Sequence, residues 1–159
     1  MSLREPIRPR LDLDAFSRQL IAMLQVDGRR SYAGMALDLG LAEETVERRV
    51  QHLLDTGVIE IAAVSDAARL GFAGQAMLGI HCEAGTARTV AERLAAMDAY
   101  VYVVLTAGSF DVMAELCVLD RAQVLAQIAD LETLPMVTRV QTYHYAGLEK
   151  MTHAWDVVR

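Results

Sequence analysis

From Glu44 to His52, helical spacing of about 100° per residue puts Glu44, Arg48 and Gln51 on one face, flanked by Thr45 and His52. The opposite stripe, Val46, Val50, Leu53 and Leu54, is apolar. Carboxylate, hydroxyl, guanidinium, amide and imidazole groups gathered on the outward face of a short helix can hydrogen-bond base edges and phosphates. Glu44, Thr45 and Arg48, near its N-terminal end, are placed to read bases in a major groove. Arg49 lies nearer the core edge and suits a phosphate. The same spacing also allows an ordinary i, i+4 ion pair between Glu44 and Arg48.

Such a face needs a brace. Ser31 is a good N-cap; Tyr32, Met35, Ala36 and Leu39 then recur at helical intervals, and Gly40 offers the left-handed conformation that ends a helix. Leu41 is expected to drop into the shared core. The two helices meet at Gly40-Leu41 with helix-turn-helix spacing, which adds Ser31 and Tyr32 to the candidate DNA-binding set. A preceding helix from Asp14 to Asp27, turning Phe16, Leu20, Ile21, Met23 and Leu24 inward, completes a three-helix domain over residues 13–60. Ahead of it, residues 1–12 form an arm in which Arg4, Arg8 and Arg10 alternate with Pro6 and Pro9. An extended arm of this kind suits a minor groove, with disorder as the alternative.

Composition limits the partners. At 159 residues and 53% hydrophobic content the chain can bury a substantial core, and its net charge of −6 argues against a generally basic nucleic-acid coat. The charge is unevenly spread: through Thr56 eight arginines face nine acids, and the remainder has seven basic against twelve acidic residues. One part facing DNA and another facing away fits that asymmetry. No apolar run approaches the roughly 20 residues of a membrane span, and Met1-Ser2-Leu3-Arg4-Glu5-Pro6 lacks a signal peptide's apolar core. A cytoplasmic protein with no membrane partner is expected. Cys82 and Cys117 lack the close spacing of a zinc or redox pair, so buried, reduced thiols are expected, with no metal or cofactor; His81 and His144 are read the same way.

After Gly57 the run Val58 to Val64 reads as a strand or an extended connector; residues 61–74 lead into a second domain over 75–159. There the pattern gives strand Gln75–Cys82, helix Thr86–Met97, strands Tyr100–Ala107 and Asp111–Val118, helix Arg121–Leu131 and strand Val137–Tyr145. The fold class is α+β, and this βαββαβ order is that of a ferredoxin-like sandwich with both helices on one face of an antiparallel sheet. Val112, Ala114, Leu116 and Val118 line one side of a strand whose other side carries Met113 and Cys117 around Glu115. An apolar second face predicts a homodimer. Glu115, a carboxylate among apolar neighbours, should be paired, solvated or used by a ligand, and Arg139 is a candidate ion-pair partner.

Between the central strands, Gly108 permits close backbone approach or positive φ, the amides near Ser109 and Phe110 can bind a carboxylate, and Asp111 can accept hydrogen bonds from an ammonium. Those are the two ends of an amino acid. Glycine and aspartate also build many tight hairpins with no ligand.

Taken together, these residues resemble the Lrp/AsnC, or feast/famine, transcriptional regulators. The resemblance rests on Leu13-Asp14, Leu20-Ile21, Leu24, Asp27-Gly28-Arg29, Ser31, Ala36, Gly40-Leu41, Val46, Arg48-Arg49-Val50, Leu53 and Gly57-Val58-Ile59, and in the second half on Gly108-Ser109-Phe110-Asp111 and Leu134-Pro135 with Val137. It implies double-stranded DNA and a small-molecule effector, usually an amino acid, as partners, and dimers that often associate into octamers. Four positions depart from the family pattern. Ala42 replaces the serine that opens the recognition helix, removing a cap worth about 1 kcal/mol. Gly34 replaces a better helix former. Ser17 replaces a common aspartate, a change expected to bear on the first helix more than on any contact. Met136 replaces glycine and is expected to fill or reshape the effector pocket beside the hairpin.

The expectation is a sequence-specific regulator without catalysis, binding a palindrome and modulated by an amino acid or related metabolite. A metabolite-binding oligomer with a degenerate helix-turn-helix is the alternative, because Glu43, Glu44 and Glu47 crowd the end that should meet DNA. An enzyme is a weaker one, since only His81 and His144 lie in the sandwich strands, without an accompanying acid motif.

Overall fold

The computed structural model describes residues 12–147 and 149–150. The arm bearing Arg4, Arg8 and Arg10 lies outside the described residues. The chain divides into two compact units, the first closing at Ala63 and the second beginning at Val64.

Three helices build the first unit: α1 (Ala15–Val26), α2 (Tyr32–Leu39) and α3 (Glu43–Asp55). Each boundary has a local cause. The Asp14 carboxylate accepts the Ser17 amide at 2.8 Å and starts α1. Ser31 Oγ accepts the Gly34 amide at 3.1 Å and starts α2. A Cβ at position 34 would lie 3.0 Å from that oxygen, so glycine fits this cap closely although it is a poor helix former. Gly40 ends α2 at φ 65°, with its amide bonded to the Leu37 carbonyl and the Leu41 amide to that of Ala36. Ala42 opens α3 without a side-chain cap, as the sequence implies, and Glu43 and Glu44 in the first turn are the residues that favour the helix dipole there.

Leu20, Met35, Ala36, Val46 and Val50 form the core between these helices, none more than 4% exposed, with Phe16, Met23, Leu24, Tyr32, Leu39 and Leu54 packed around them. Burying a large apolar side chain this completely contributes roughly 1.5–3 kcal/mol. Leu41 departs from expectation. It is 43% exposed, because the left-handed turn at Gly40 takes the chain off the inward stripe and makes Leu41 the start of the α2–α3 connection. Beyond α3, Gly57 repeats the left-handed close, and residues 58–66 form no strand, which leaves the connector of the two readings.

The second unit runs β1 (Gly74–Cys82), α4 (Ala87–Ala95), β2 (Tyr100–Leu105), β3 (Val112–Val118), α5 (Arg121–Glu132) and β4 (Val137–His144), with antiparallel strand order β2-β3-β1-β4. This is the ferredoxin-like arrangement. Ala76, Leu78 and Ile80 of β1 and Val112, Ala114, Leu116 and Val118 of β3 face Val90, Leu94, Val124 and Leu131 of the helices in one core. Along β3 the alternate residues Met113, Glu115 and Cys117 are half-buried on the other face. In β2, Tyr100 pairs with Leu116 and Tyr102 with Glu115, so Val101 is a bulge residue and the two tyrosines lie on opposite faces. Tyr100 is buried and Tyr102 is 48% exposed.

Both cysteines are half-buried in strands rather than fully buried, because Cys82 ends β1 and Cys117 lies on the face away from the helices. Burial, reinforced by Asp111 beside Cys82 and by Glu115 beside Cys117, raises both thiol pKa values and keeps the thiols protonated. Among the described residues no helix is long and apolar enough to cross a membrane.

Candidate nucleic-acid and effector sites

The solvent face of α3 is built as its periodicity requires. Glu44, Arg48, Gln51 and His52 are exposed, Thr45 is half-buried, and Val46, Val50 and Leu53 are inside. Thr45, Arg48, Arg49 and His52 line one depression, which Phe16 of α1 completes. Phe16, expected to face inward, does both: it packs at the edge of the helical core and reaches this depression, as its place on the edge of the α1 stripe allows. Among the described residues Arg48 and Glu44 make no ion pair, so the surface pair allowed by their spacing does not form. Gln51 Nε2 donates to Asp55 Oδ1 at 2.8 Å. Ser31 Oγ is used by its cap and Tyr32 packs against the helical core, so the start of α2 presents less free polar surface than its residue types imply.

Arg49 is differently placed. Its Nη1 donates to Asp14 Oδ2 at 2.5 Å and to Ser17 Oγ at 2.8 Å, and its guanidinium carbon lies 5.2 Å from the Phe16 ring centroid. The Arg49 hydrogen bond, followed by those from Ser17, holds the Asp14 carboxyl well below the usual carboxylate range. Ser17, expected to matter to α1 more than to any contact, is 3% exposed and bonds α3 directly, because it lies on the inward side of α1.

In the second unit two loops converge on the end of β1. Thr106 and Asp111 close the β2–β3 hairpin through the Thr106 amide and Asp111 carbonyl at 3.0 Å. Asp111 Oδ2 accepts the Cys82 amide at 2.8 Å, and the Met136 carbonyl accepts the Glu83 amide at 2.9 Å. The hairpin and the turn before β4 therefore grip the last residue of β1 and the one that follows it. Gly108 and Ser109 are exposed. Gly108 does not have positive φ, and a Cβ there would meet nothing within 4 Å, so neither reason offered for glycine operates within the chain. The loop is long enough to turn without a left-handed residue at 108. The Met136 side chain packs at the edge of the sandwich core.

Phe110 has a structural place of its own. Its ring covers Gly79 on the sheet face away from the helices, close enough that a Cβ at 79 would lie 2.6 Å from it, and stands 5.2 Å from the His81 ring and 6.3 Å from that of Tyr143. Glu115 stands beside the Tyr145 hydroxyl and makes no ion pair with Arg139 among the described residues. Arg139 pairs across from His81 whereas Tyr143 is level with Met77 and Glu115, which separates Arg139 from Glu115 along the sheet. Burial, and then the Glu115 carboxylate, push the Tyr145 hydroxyl up to about 12.

A family model described as the AsnC-type helix-turn-helix domain matches residues 13–54, and one described as the Lrp/AsnC ligand binding domain matches residues 75–151. The first covers the three helices and the second the sandwich. An uncharacterized HTH-type transcriptional regulator of Pyrococcus furiosus is 30% identical over 145 residues, 84% of this chain and 97% of the relative. The chain belongs to the Lrp/AsnC family. The HTH-type transcriptional regulator FL11 of Pyrococcus horikoshii is 32% identical over 67% of this chain and 72% of its own length. Among solved structures, AsnC of E. coli superposes with a TM-score of 0.82 at 19% identity, covering 91% of this chain and 99% of AsnC. A Neisseria meningitidis transcriptional regulator in complex with L-Met gives 0.81 at 20%, covering 91% and 96%. These neighbours share the fold. As a member of the Lrp/AsnC family the chain is a transcriptional regulator, joining a helix-turn-helix DNA-binding domain to a small-molecule-binding domain.

Proposed function

We propose that α3 lies in the major groove of a palindromic operator, with Thr45, Arg48 and Glu44 at base edges and Gln51 and His52 towards the phosphates. Exposed Arg48, beside Thr45 and His52 and free of any ion pair among the described residues, is the observation that carries this reading. The partly apolar sheet face bearing Met113, Cys117, Tyr102 and Phe110 pairs two copies, which sets the recognition helices on half-sites about one helical turn apart. The effector is an amino acid or a related metabolite, held where the Gly108 to Asp111 hairpin and the Met136 turn meet β1; the L-Met complex of the Neisseria neighbour supports that ligand class. The protein works in the cytoplasm, without catalysis.

Selection of purified full-length protein on random duplexes at near-physiological salt tests this. The expected result is an enriched palindrome, with Arg48→Ala weakening its binding by about 1–3 kcal/mol and relaxing one position of the site. Glu43, Glu44 and Glu47 are all exposed around the uncapped start of α3 and favour the second reading, a metabolite-binding oligomer whose helix-turn-helix no longer reads sequence. Absence of enrichment with and without amino acids would select it.

A further inference from the structure

Arg48 and Arg49 are consecutive on α3 and have opposite surroundings. Arg48 is exposed and makes no ion pair among the described residues, whereas Arg49 is held by three groups at the start of α1, Asp14, Phe16 and Ser17. Asp14 does two jobs at once, because Oδ1 caps α1 through the Ser17 amide while Oδ2 takes the Arg49 guanidinium. Ser17 likewise donates its amide to Asp14 and accepts Arg49 Nη1 on its hydroxyl. The first turn of α1 and the middle of α3 are thereby joined by directional bonds. Apolar contacts among Leu20, Val46 and Val50 hold the helices together but constrain rotation of α3 about its axis weakly, since hydrophobic attraction is non-directional. A planar guanidinium bonded at two oxygens and resting on a ring supplies the missing angular constraint.

We propose that Asp14, Ser17 and Arg49 form a latch that fixes the rotation of α3 on α1, so that Arg49 acts as a positioning residue for Thr45 and Arg48 and places no charge on DNA phosphates. This rests on the reading that α3 enters the operator. The latch also gives an acidic chain a defined reading face while two arginines of the described helices are held in ion pairs. Arg30 is paired with Asp38, and Arg49 is spent within the fold.

The test measures affinity of the full-length protein for its selected duplex across a series of salt concentrations. Arg48→Ala, as the reference, lowers the slope of log K against log salt by about one per protomer if it meets a phosphate, or costs sequence preference if it meets a base. Arg49→Ala is expected to lower affinity by about tenfold or more, the scale of one misread base pair, with the slope unchanged. Asp14→Asn, which keeps an acceptor for the cap, is expected to do the same, and the double variant to be no worse than either single one. Arg49→Lys keeps the charge but loses the planar group over the Phe16 ring, and is expected to behave as Arg49→Ala. A phosphate-binding Arg49 gives the reverse pattern, which overturns the proposal: Arg49→Ala reduces the slope, Arg49→Lys binds nearly as wild type, and Asp14→Asn tightens binding by releasing the guanidinium. Unchanged affinity in Arg49→Ala also overturns it. Thermal unfolding of the same variants reads the latch without DNA. Less-than-additive Tm shifts for Asp14→Asn and Arg49→Ala support it, and additive shifts overturn it. Non-additive shifts in a protein that selects no duplex would place the failure in the operator reading.

Discussion

The Cys82 amide donates to the Asp111 carboxylate at 2.8 Å, across 29 residues of sequence, and so ties the hairpin between β2 and β3 to the last residue of β1. A carboxylate with two oxygens can keep this bond and still receive an ammonium. Asp111→Ala leaves the Cys82 amide without its partner and is expected to cost about 1 kcal/mol in chemical denaturation. Asp111→Asn keeps an acceptor and should unfold close to wild type while losing the amino-acid-induced rise in Tm. Equal amino-acid stabilisation of Asp111→Asn and wild type would make the residue purely structural.

Two glycines of β1 differ in what stands over them. The atoms nearest a Cβ on Gly79 would all belong to the Phe110 ring, at 2.6–2.7 Å, whereas the nearest to one on Gly74 would be the Asp120 carbonyl oxygen. A ring can swing aside and a helix-capping backbone cannot. Gly79→Ala is expected to cost about 1–3 kcal/mol as ordinary overpacking, and Phe110→Ala in the same chain should remove much of that penalty. Gly74→Ala should be the more destabilising of the two. Thermal melts of the three variants check the order.

Ala42 leaves the start of α3 without a side-chain cap. Its extended backbone, φ −74° and ψ 140°, already suits a capping residue. Ala42→Ser should therefore stabilise the first unit by about 1 kcal/mol. Denaturant titration followed by helical circular dichroism measures the gain, and no gain would mean that a serine hydroxyl cannot reach the amides of the first turn.

Stability should depend on pH at both extremes. Asp14 has a folded-state pKa below its ordinary value of 3.8, so its contribution is present above that value and is lost as pH falls towards the folded one. Asp14→Asn should flatten the acid limb of a Tm profile below pH 4. Tyr145 is raised from 10 to about 12, so its contribution is full below pH 10 and disappears between 10 and 12. Tyr145→Phe should remove part of that alkaline loss, and an unchanged alkaline limb would show that the burial of this hydroxyl beside Glu115 contributes nothing in solution. Tyr100, raised to about 12 chiefly by burial, loses its contribution in the same window and accounts for part of the remainder.

The six sandwich elements and three helices were legible in the sequence because each depends on local periodicity and on capping residues within a few positions, as with Asp14, Ser31, Gly40 and Asp120. The outward face of α3 was legible for the same reason: a helix with Val46, Val50 and Leu53 inside must put Arg48 outside. What periodicity cannot supply is the partner of a polar group distant in sequence. Arg49, which its spacing places near a phosphate, is bonded to Asp14, 35 residues earlier, and Glu115 stands beside Tyr145 while Arg139 lies further along the sheet. The Val101 bulge, the Phe110 ring over Gly79 and the exposure of Leu41 are likewise set by register and turn geometry. Local pattern determined which residues form each element and which side faces inward. Only the tertiary structure decided which of the exposed polar groups are already bonded within the fold and which are free to bind a ligand, because that depends on directional contacts between segments far apart in the chain.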